Sequence, residues 1–334
     1  MSITSDTIAF LWSGGHQWAA RHLTLVTLSL VLCATACGSD VGAGGASTST
    51  NSPVTPTTFV VDPASSTPPM PSTSVATAAP RPTAAMDDLV GPAGRRVHVR
   101  CVGHGDKTVV LMAGFGGDST GWATVESAIS ASARVCSYDR AGTGTSDPAT
   151  STTTFAMQAT DLHTLLRTLG EPGPYVVVGH SFGGAEAVTF ASMFAHDVTG
   201  VVLIDASPTT WPAALCAVPE DGSNAATTLH SVCYTFVPTG NSEHLDVAAA
   251  FTEASHIVSL GSMPTTVITA TRRELPSDLA ASEVDRLNTA WNQGQRAWTA
   301  LSTTSHLVTV DHTGHHIEID RPGVVIDEIT RLLP

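Results

Sequence analysis

The sequence predicts an α/β fold, with a doubly wound, mostly parallel sheet covered by helices on both faces and a small cap inserted into it. Short apolar runs rich in β-branched residues alternate with longer stretches that suit helices. Residues 108–112 (TVVLM) are typical of a buried parallel strand. Residues 86–334, about 250 in number, are enough for one such domain with a sizeable core.

The elements follow one another in the order that such a sheet requires. Residues 96–101 alternate polar and apolar side chains, which is typical of a half-exposed strand. The leucines of residues 160–169 recur at helical spacing, and Gly170 marks the end of that helix. Further strands are predicted at 108–112, 135–138, 175–178, 200–205, 265–269 and 306–310, and further helices at 122–133 and 185–191.

The stretch between the strands at 200–205 and 265–269 is about 60 residues long, which is too long for a simple loop. We therefore expect a cap over about residues 207–263. Its larger apolar side chains can line a pocket or form the cap's own core; they are Trp211, Leu215, Tyr234, Phe236 and Phe251.

The N-terminal part of the chain predicts export. An apolar run at residues 23–32 follows Arg21 and is too short to span a bilayer, which is typical of a signal-peptide core. Cys37 follows small residues and resembles a bacterial lipoprotein processing site. Residues 1–37 are therefore interpreted as a signal peptide with a lipidation site at Cys37. Plain cleavage and secretion is the alternative, and a lipid anchor would be the only membrane contact.

Composition limits the partners that the chain can have. Residues 38–85 are rich in Ser, Thr, Pro, Ala and Gly, and we expect them to form a disordered linker. The formal net charge is −14 and the folded part has no basic cluster, which argues against a nucleic-acid partner. No Cys/His spacing typical of a zinc site is present, so no metal or cofactor is expected.

Four cysteines lie in the part of the chain that should fold. An even number in an exported domain suggests two disulfides. Cys101 and Cys136 each lie in a strand-like run and can join neighbouring strands, while Cys216 and Cys233 lie in the expected cap and can constrain it. The residues alone leave three pairings open, and free buried thiols are the alternative.

The most informative motif is Gly-His-Ser-Phe-Gly at residues 179–183. It follows an apolar, valine-rich run and precedes a stretch that suits a helix. This G-x-S-x-G pattern between a strand and a helix is typical of a sharp turn that exposes a serine hydroxyl. Ser181 is therefore the candidate nucleophile.

A serine hydroxyl needs a base to take its proton, and the base is normally a histidine oriented by a carboxylate. His315 follows the last predicted strand and is the candidate base. The acid stays open at this point. Asp205 ends a predicted strand, whereas Glu274 and Asp278 come after the next strand.

A hydrolytic site also needs hydrogen-bond donors for the oxyanion. The backbone N–H of Phe182, directly after the serine, is one candidate. The N–H of Phe115 is the other, because it lies in a glycine-rich loop (residues 113–118) that follows the strand at 108–112.

Five segments carry a resemblance to a known family: VVLMAGFGG, VCSYDRAGTGTSD, YVVVGHSFGG, VVLIDASP and TGHHIEIDRP. They resemble the α/β-hydrolase superfamily, and most of all secreted hydrolases of the actinobacterial type. The resemblance spans residues 91–333 and implies an eight-stranded sheet, the chain order serine, acid, histidine, and a disulfide between Cys101 and Cys136. Ala113 departs from the histidine more common in that loop, and no aspartate follows the strand at 265–269. The resemblance gives Arg140 a structural role, paired with a carboxylate.

Together these features predict a serine hydrolase that cleaves carboxylic esters through an acyl-enzyme, with a small molecule that carries an apolar acyl group as its substrate. The serine disfavours the dehalogenases and epoxide hydrolases of this fold, which use an aspartate at that position. Amide or peptide hydrolysis and cofactor-free perhydrolysis on the same residues stay open. The non-enzymatic alternative is a surface lipoprotein that binds a ligand.

Overall fold

A computed structural model of the protein describes residues 82–91 and 95–334. Within them, eight strands form a mostly parallel sheet with helices on both faces, which confirms the predicted fold class. The predicted signal peptide, Cys37 and residues 38–81 of the predicted linker lie outside the described residues, so these stay predictions. In the described part, no helix has both the length and the apolar character needed to cross a membrane.

The strands agree with the sequence-based prediction to within two residues at each end. They are β1 (Met86–Val90), β2 (Val97–Val102), β3 (Thr108–Met112), β4 (Arg134–Tyr138), β5 (Tyr175–His180), β6 (Val198–Ile204), β7 (Thr265–Ala270) and β8 (Ser305–Val310). The exception is β1, which the residue pattern did not predict. The strands lie in the order β1-β2-β4-β3-β5-β6-β7-β8. β2 runs antiparallel to both of its neighbours, and the remaining pairs are parallel.

The helices fill the connections between these strands. They are α1 (Ala123–Ile129), α2 (Phe155–Thr168), α3 (Phe182–Met193), α4 (Trp211–Cys216), α5 (Asn224–Cys233), α6 (Val247–Ser255), α7 (Ala281–Ala300), α8 (Ile317–Asp320) and α9 (Pro322–Thr330). Between β6 and β7, where the cap is expected, lie α4, α5 and α6. The long helix α7 buries Leu287, Trp291 and Trp298.

The sheet buries side chains on both faces. Alternate residues of a strand point to opposite faces, so Val110 and Met112 of β3 join one apolar cluster while Val109 and Leu111 join the other. The carboxyl ends of the parallel strands meet at one edge of the sheet. That edge is where open α/β sheets bind their ligands, and it carries the residues that follow β5, β6 and β8.

Two disulfides are present. Cys101 and Cys136 are direct partners in the β2–β4 pair, with their Cα atoms 4.1 Å apart. Cys216 and Cys233 join the ends of α4 and α5. This pairing selects one of the three that the sequence left open, and it suggests an oxidising compartment.

Candidate active site

Ser181 lies at the turn between β5 and α3 and is only 3% exposed. Its φ is 55°, which is rare for a residue other than glycine and indicates backbone strain. The turn is held because Ser181 N donates to Ile204 O at 3.0 Å, and Ser181 O accepts from the N–H groups of Gly184 and Ser207. The hydroxyls of Ser181 and Ser207 are 3.2 Å apart, within hydrogen-bond distance.

Two glycines allow the backbone to come close to this turn. A Cβ on Gly183 would collide with the backbone carbonyls of Met112 and Ala113 at the end of β3. A Cβ on Gly114 would lie 3.2 Å from the Cβ of Ser181. The glycine-rich loop therefore lies directly against the candidate nucleophile.

Asp205 and His315 meet at the same edge of the sheet. His315 Nδ1 lies 2.8 Å from Asp205 Oδ2, although the two residues are 110 positions apart in the chain. Asp205 is 0% exposed and His315 is 7% exposed. An ionised carboxylate can only accept, so Nδ1 of His315 carries the hydrogen and Nε2 carries the lone pair. This is the tautomer that a general base needs.

Asp205 accepts several further hydrogen bonds. Its donors include the Thr269 hydroxyl at 2.9 Å, the indole N–H of Trp291 at 3.1 Å and Nη1 of Arg273 at 2.9 Å. Burial alone would raise the pKa of Asp205, but the hydrogen bond from His315 and the charge of Arg273 outweigh it, and the pKa is lowered. Asp205 is therefore ionised at neutral pH.

The two other candidate acids are engaged elsewhere. Glu274 is partly exposed, with 24% of its side chain accessible, and lies 3.3 Å from Arg272. Asp278 accepts from the N–H of Ala225 at 3.1 Å, at the start of α5. Neither contact involves His315, so the geometry favours Asp205 over Glu274 and Asp278.

Burial lowers the pKa of His315, and the hydrogen bond and charge of Asp205 oppose this shift only in part. The charge of Arg273 lowers it further. His180, next to Ser181, is also buried, and burial lowers its pKa to about 3. The rings of His180 and His315 are 4.6 Å apart, and Nε2 of His180 donates to the backbone carbonyl of His315 at 3.0 Å. Both imidazoles are therefore neutral at pH 7.

Arg140 holds the glycine-rich loop in place. It donates to the carbonyl oxygens of Ala113 at 2.7 Å and Gly114 at 2.6 Å. Its Nε lies 2.6 Å from Glu243, whose other carboxylate oxygen accepts from the N–H of Gly116 at 2.7 Å. Arg140 thus has a carboxylate partner in Glu243, from the segment between β6 and β7, and a second in Glu186 of α3, at 3.3 Å.

Phe115 and Phe182 lie next to each other, with ring centroids 5.0 Å apart. Among the hydrogen bonds of the described residues, none uses the backbone N–H of either residue as a donor. Both N–H groups flank the Ser181 turn, because Phe182 begins α3 and Phe115 belongs to the loop that contacts Ser181. Both residues therefore lie beside the candidate nucleophile, and their N–H groups stay candidate donors to an oxyanion.

Two cavities adjoin these residues. One, of about 50 Å³, borders His315 and has a mostly apolar wall that includes Trp211, Leu215 and Trp291. The other, of about 240 Å³, borders Ser181 and the glycine-rich loop. Of the other apolar cap residues, Phe236 and Phe251 pack on the ring of Phe182, and Tyr234 is 73% exposed.

Sequence reasoning missed four residues of this site: Ser207, Glu243, Arg273 and Trp291. Arg273 directly precedes Glu274 and so lay within a segment already singled out for its acid. Glu243 lies 103 positions from Arg140, and no local pattern links the two.

Comparison with known proteins finds the same fold in other chains. A family model for the α/β hydrolase fold matches residues 107–223, which include Ser181 and Asp205. The chain is 26% identical to the YqjL protein of Bacillus subtilis over 219 residues, or 65% of this chain and 80% of that protein. It is 34% identical over 139 residues to a 2-hydroxy-6-oxononadienedioate/2-hydroxy-6-oxononatrienedioate hydrolase of Paraburkholderia phymatum, covering 40% of this chain and 48% of that protein.

Solved structures with the same fold include different hydrolases. An esterase from Thermogutta terrifontis superimposes with a TM-score of 0.50 at 20% identity, over 75% of this chain and 97% of that one. The epoxide hydrolase CorEH superimposes with a TM-score of 0.54 at 18% identity, over 75% of this chain and 98% of that one. At these identities the likeness shows the fold alone. The family match over residues 107–223 and the shared architecture show that the chain has the α/β-hydrolase fold.

Proposed function

We propose that the protein is a serine hydrolase that cleaves carboxylic esters, with Ser181 as the nucleophile, His315 as the base and Asp205 as the acid that orients the base. The observation that carries the proposal is the 2.8 Å hydrogen bond between His315 Nδ1 and Asp205 Oδ2, which leaves Nε2 basic at the sheet edge where Ser181 lies. The match to the α/β hydrolase fold model and the similarity to a protein named as a hydrolase support a hydrolase.

The proposed reaction has two balanced halves. Ser181 Oγ attacks the ester carbonyl carbon while its proton passes to Nε2 of His315, and the N–H groups of Phe115 and Phe182 donate to the oxyanion. The intermediate then expels the alcohol, which takes the proton from His315. Water hydrolyses the acyl-enzyme by the same route and returns Ser181 to its starting state.

The cavities suggest where the substrate parts lie. The cavity beside His315 is small and mostly apolar, so it suits a short apolar acyl group. The larger cavity beside Ser181 is bordered by the glycine-rich loop and suits the alcohol part. We expect a small-molecule ester with a short acyl chain.

The test is turnover of p-nitrophenyl esters of increasing acyl length. We expect the highest kcat/KM with short chains and a loss of about 10⁶ in kcat for Ser181→Ala. Ser282→Ala, an exposed serine on α7, is the matched control and should turn over esters like the parent. Turnover of peptide amides without turnover of esters would replace the ester proposal by a peptidase.

We further propose that the enzyme acts outside the cytoplasm, anchored through a lipid on Cys37. The two disulfides support an oxidising compartment. Cys37→Ala should move the protein from the membrane fraction to the soluble fraction of an expressing bacterium. An unchanged distribution would contradict the anchor and favour plain secretion.

A further inference from the structure

Three side chains next to Ser181 form a cluster that the hydrolytic reaction does not use: His180, His316 and Glu318. Glu318 Oε1 lies 3.4 Å from Nδ1 of His180 and 3.0 Å from Nδ1 of His316. One ligand atom from each residue lies within 4.8 Å of the other two. The cluster joins the end of β5 to the start of α8. Because these segments are far apart in the chain, no local spacing of residues predicts it.

The ring of His180 presents one nitrogen to Glu318. Its Nε2 lies 3.0 Å from the carbonyl oxygen of His315 and donates to it, so Nδ1 is the ring nitrogen that faces the cluster. Nδ1 lies 3.4 Å from Glu318 Oε1, and a cation placed between these two atoms can bind both.

Glu318 gives a second, independent observation. It is 4% exposed, and its Oε2 has no hydrogen-bond partner among the described residues. Leaving a buried carboxylate oxygen without a partner is costly, and bound cations are a usual way to satisfy one. The unsatisfied oxygen belongs to the same carboxylate that faces both histidines.

The donor set suits zinc. Two imidazole nitrogens and one glutamate carboxylate make up the protein ligands of a common class of zinc site, with the fourth position open to water. Tetrahedral bonds of about 2.0–2.1 Å place neighbouring ligand atoms roughly 3.3 Å apart. The separations of 3.0 and 3.4 Å around Glu318 Oε1 are close to that value.

We propose that His180, His316 and Glu318 bind one zinc ion beside Ser181, and that the bound ion inhibits the hydrolase. All three residues border the cavity of about 240 Å³ that also reaches Ser181, which leaves room for a zinc-bound water. The His180 ring is 4.6 Å from the His315 ring, so a divalent charge there disfavours the imidazolium that forms on His315 during the reaction. The inhibition rests on the proposed function, whereas the binding does not.

The binding test is a calorimetric titration of the purified, metal-free protein with Zn²⁺, together with Co²⁺ as a visible-absorption probe of tetrahedral coordination. We expect one ion per chain. In Glu318→Gln and in His316→Ala, the affinity for Zn²⁺ should be lower by about 100-fold. His180 is left unchanged because it lies directly under the Ser181 turn. The matched control is His306→Ala, because His306 also contacts a buried glutamate, Glu328, at 2.9 Å but belongs to no such three-residue cluster in the described part of the chain.

The inhibition test measures ester turnover with and without Zn²⁺. We expect Zn²⁺ to lower the rate at least tenfold, a chelator to restore it, and Glu318→Gln to be far less sensitive. Absent binding, or equal binding by parent, Glu318→Gln and His316→Ala, would overturn the site. Binding without any effect on ester turnover would overturn the inhibition. A protein that binds zinc but never turns over an ester would refute the proposed function and leave the site standing.

Discussion

A buried arginine, Arg140, and a partly buried one, Arg273, contact the residues around the Ser181 turn, and their contacts differ in kind. Arg140 donates to backbone carbonyls of the glycine-rich loop and is surrounded by the carboxylates of Glu186 and Glu243. Arg273 donates to the side chain of Asp205, the same carboxylate that accepts from His315. Arg140 holds the backbone of the glycine-rich loop, and Arg273 forms an ion pair with Asp205.

Arg140 therefore affects the position of the glycine-rich loop, whereas Arg273 affects the pKa of His315. The two carboxylates around Arg140 raise its pKa far above its ordinary value, although burial opposes them, so it stays charged and the loop stays in place at any ordinary pH. Arg273 shares the charge of Asp205 with His315 and contributes to the lowered pKa of the histidine. Changes at Arg140 should therefore alter rate and stability, whereas changes at Arg273 should alter the pH dependence.

The largest effect should come from the acid itself. Asp205→Asn removes the acceptor that sets the tautomer of His315, and kcat should fall by about 10⁴. Glu274→Gln should leave kcat within a few-fold of the parent, because Glu274 contacts Arg272 instead. Steady-state kinetics on one ester compares the two variants, and the reverse order of losses would assign the acid to Glu274.

On the Arg140 side, Arg140→Met should lower kcat by about 100-fold or more, because the loop that carries the Phe115 N–H is released. It should also lower the free energy of unfolding by about 3–5 kcal/mol, because Glu186 and Glu243 are left without their cation. Kinetics and urea unfolding measure the two effects. A stable variant with parental kcat would show that the loop does not depend on Arg140.

The two disulfides extend the comparison. Replacing Cys101 and Cys136 by serine opens a loop of 35 residues, and replacing Cys216 and Cys233 opens one of 17 residues. The chain-entropy relation gives losses of about 4 and about 3 kcal/mol. Only the second pair adjoins the small cavity, since Leu215 and Val232 line it, so only that variant should change KM. Equal KM changes in both variants would contradict this placement.

The subtlest effect should appear at Arg273. Arg273→Met removes a positive charge next to Asp205, so the pKa of His315 should rise. The base then becomes protonated at a higher pH, and the acid limb of the kcat/KM profile should move to higher pH. Arg140→Met should leave that limb in place. If the acid limb of the kcat/KM profile moved in both Arg273→Met and Arg140→Met, or in neither, the two arginines would not differ in their effect on the pKa of His315.

The sequence predicts the candidate catalytic residues that lie in a local motif or directly after a predicted strand. Ser181 lies in a glycine-flanked motif between a strand and a helix, and His315 follows the last strand, so both were assigned from the sequence. Asp205 stayed one of three acids, because the choice depends on which carboxylate reaches His315 across the edge of the sheet. Strand β1 was missed because Asp87 and Asp88 break its apolar pattern.

The contacts that bridge distant segments could not be predicted. Arg140 meets Glu243 across 103 positions, and Arg273 meets Asp205 across 68. The resemblance implied a carboxylate partner for Arg140, but the partner's identity depends on how the segment between β6 and β7 folds back over the loop. The contact between His180 and Glu318 also joins segments that are distant in the chain, and no local pattern predicts it.

Labelling with a fluorophosphonate probe shows whether Ser181 is an activated nucleophile. The probe reacts with a serine only where a base takes the hydroxyl proton and donors stabilise the developing charge. We expect stoichiometric labelling of the purified protein, with the adduct mapped to Ser181 by mass spectrometry and absent in Ser181→Ala. Labelling that persists in Ser181→Ala, or no labelling of the parent protein, would contradict the account.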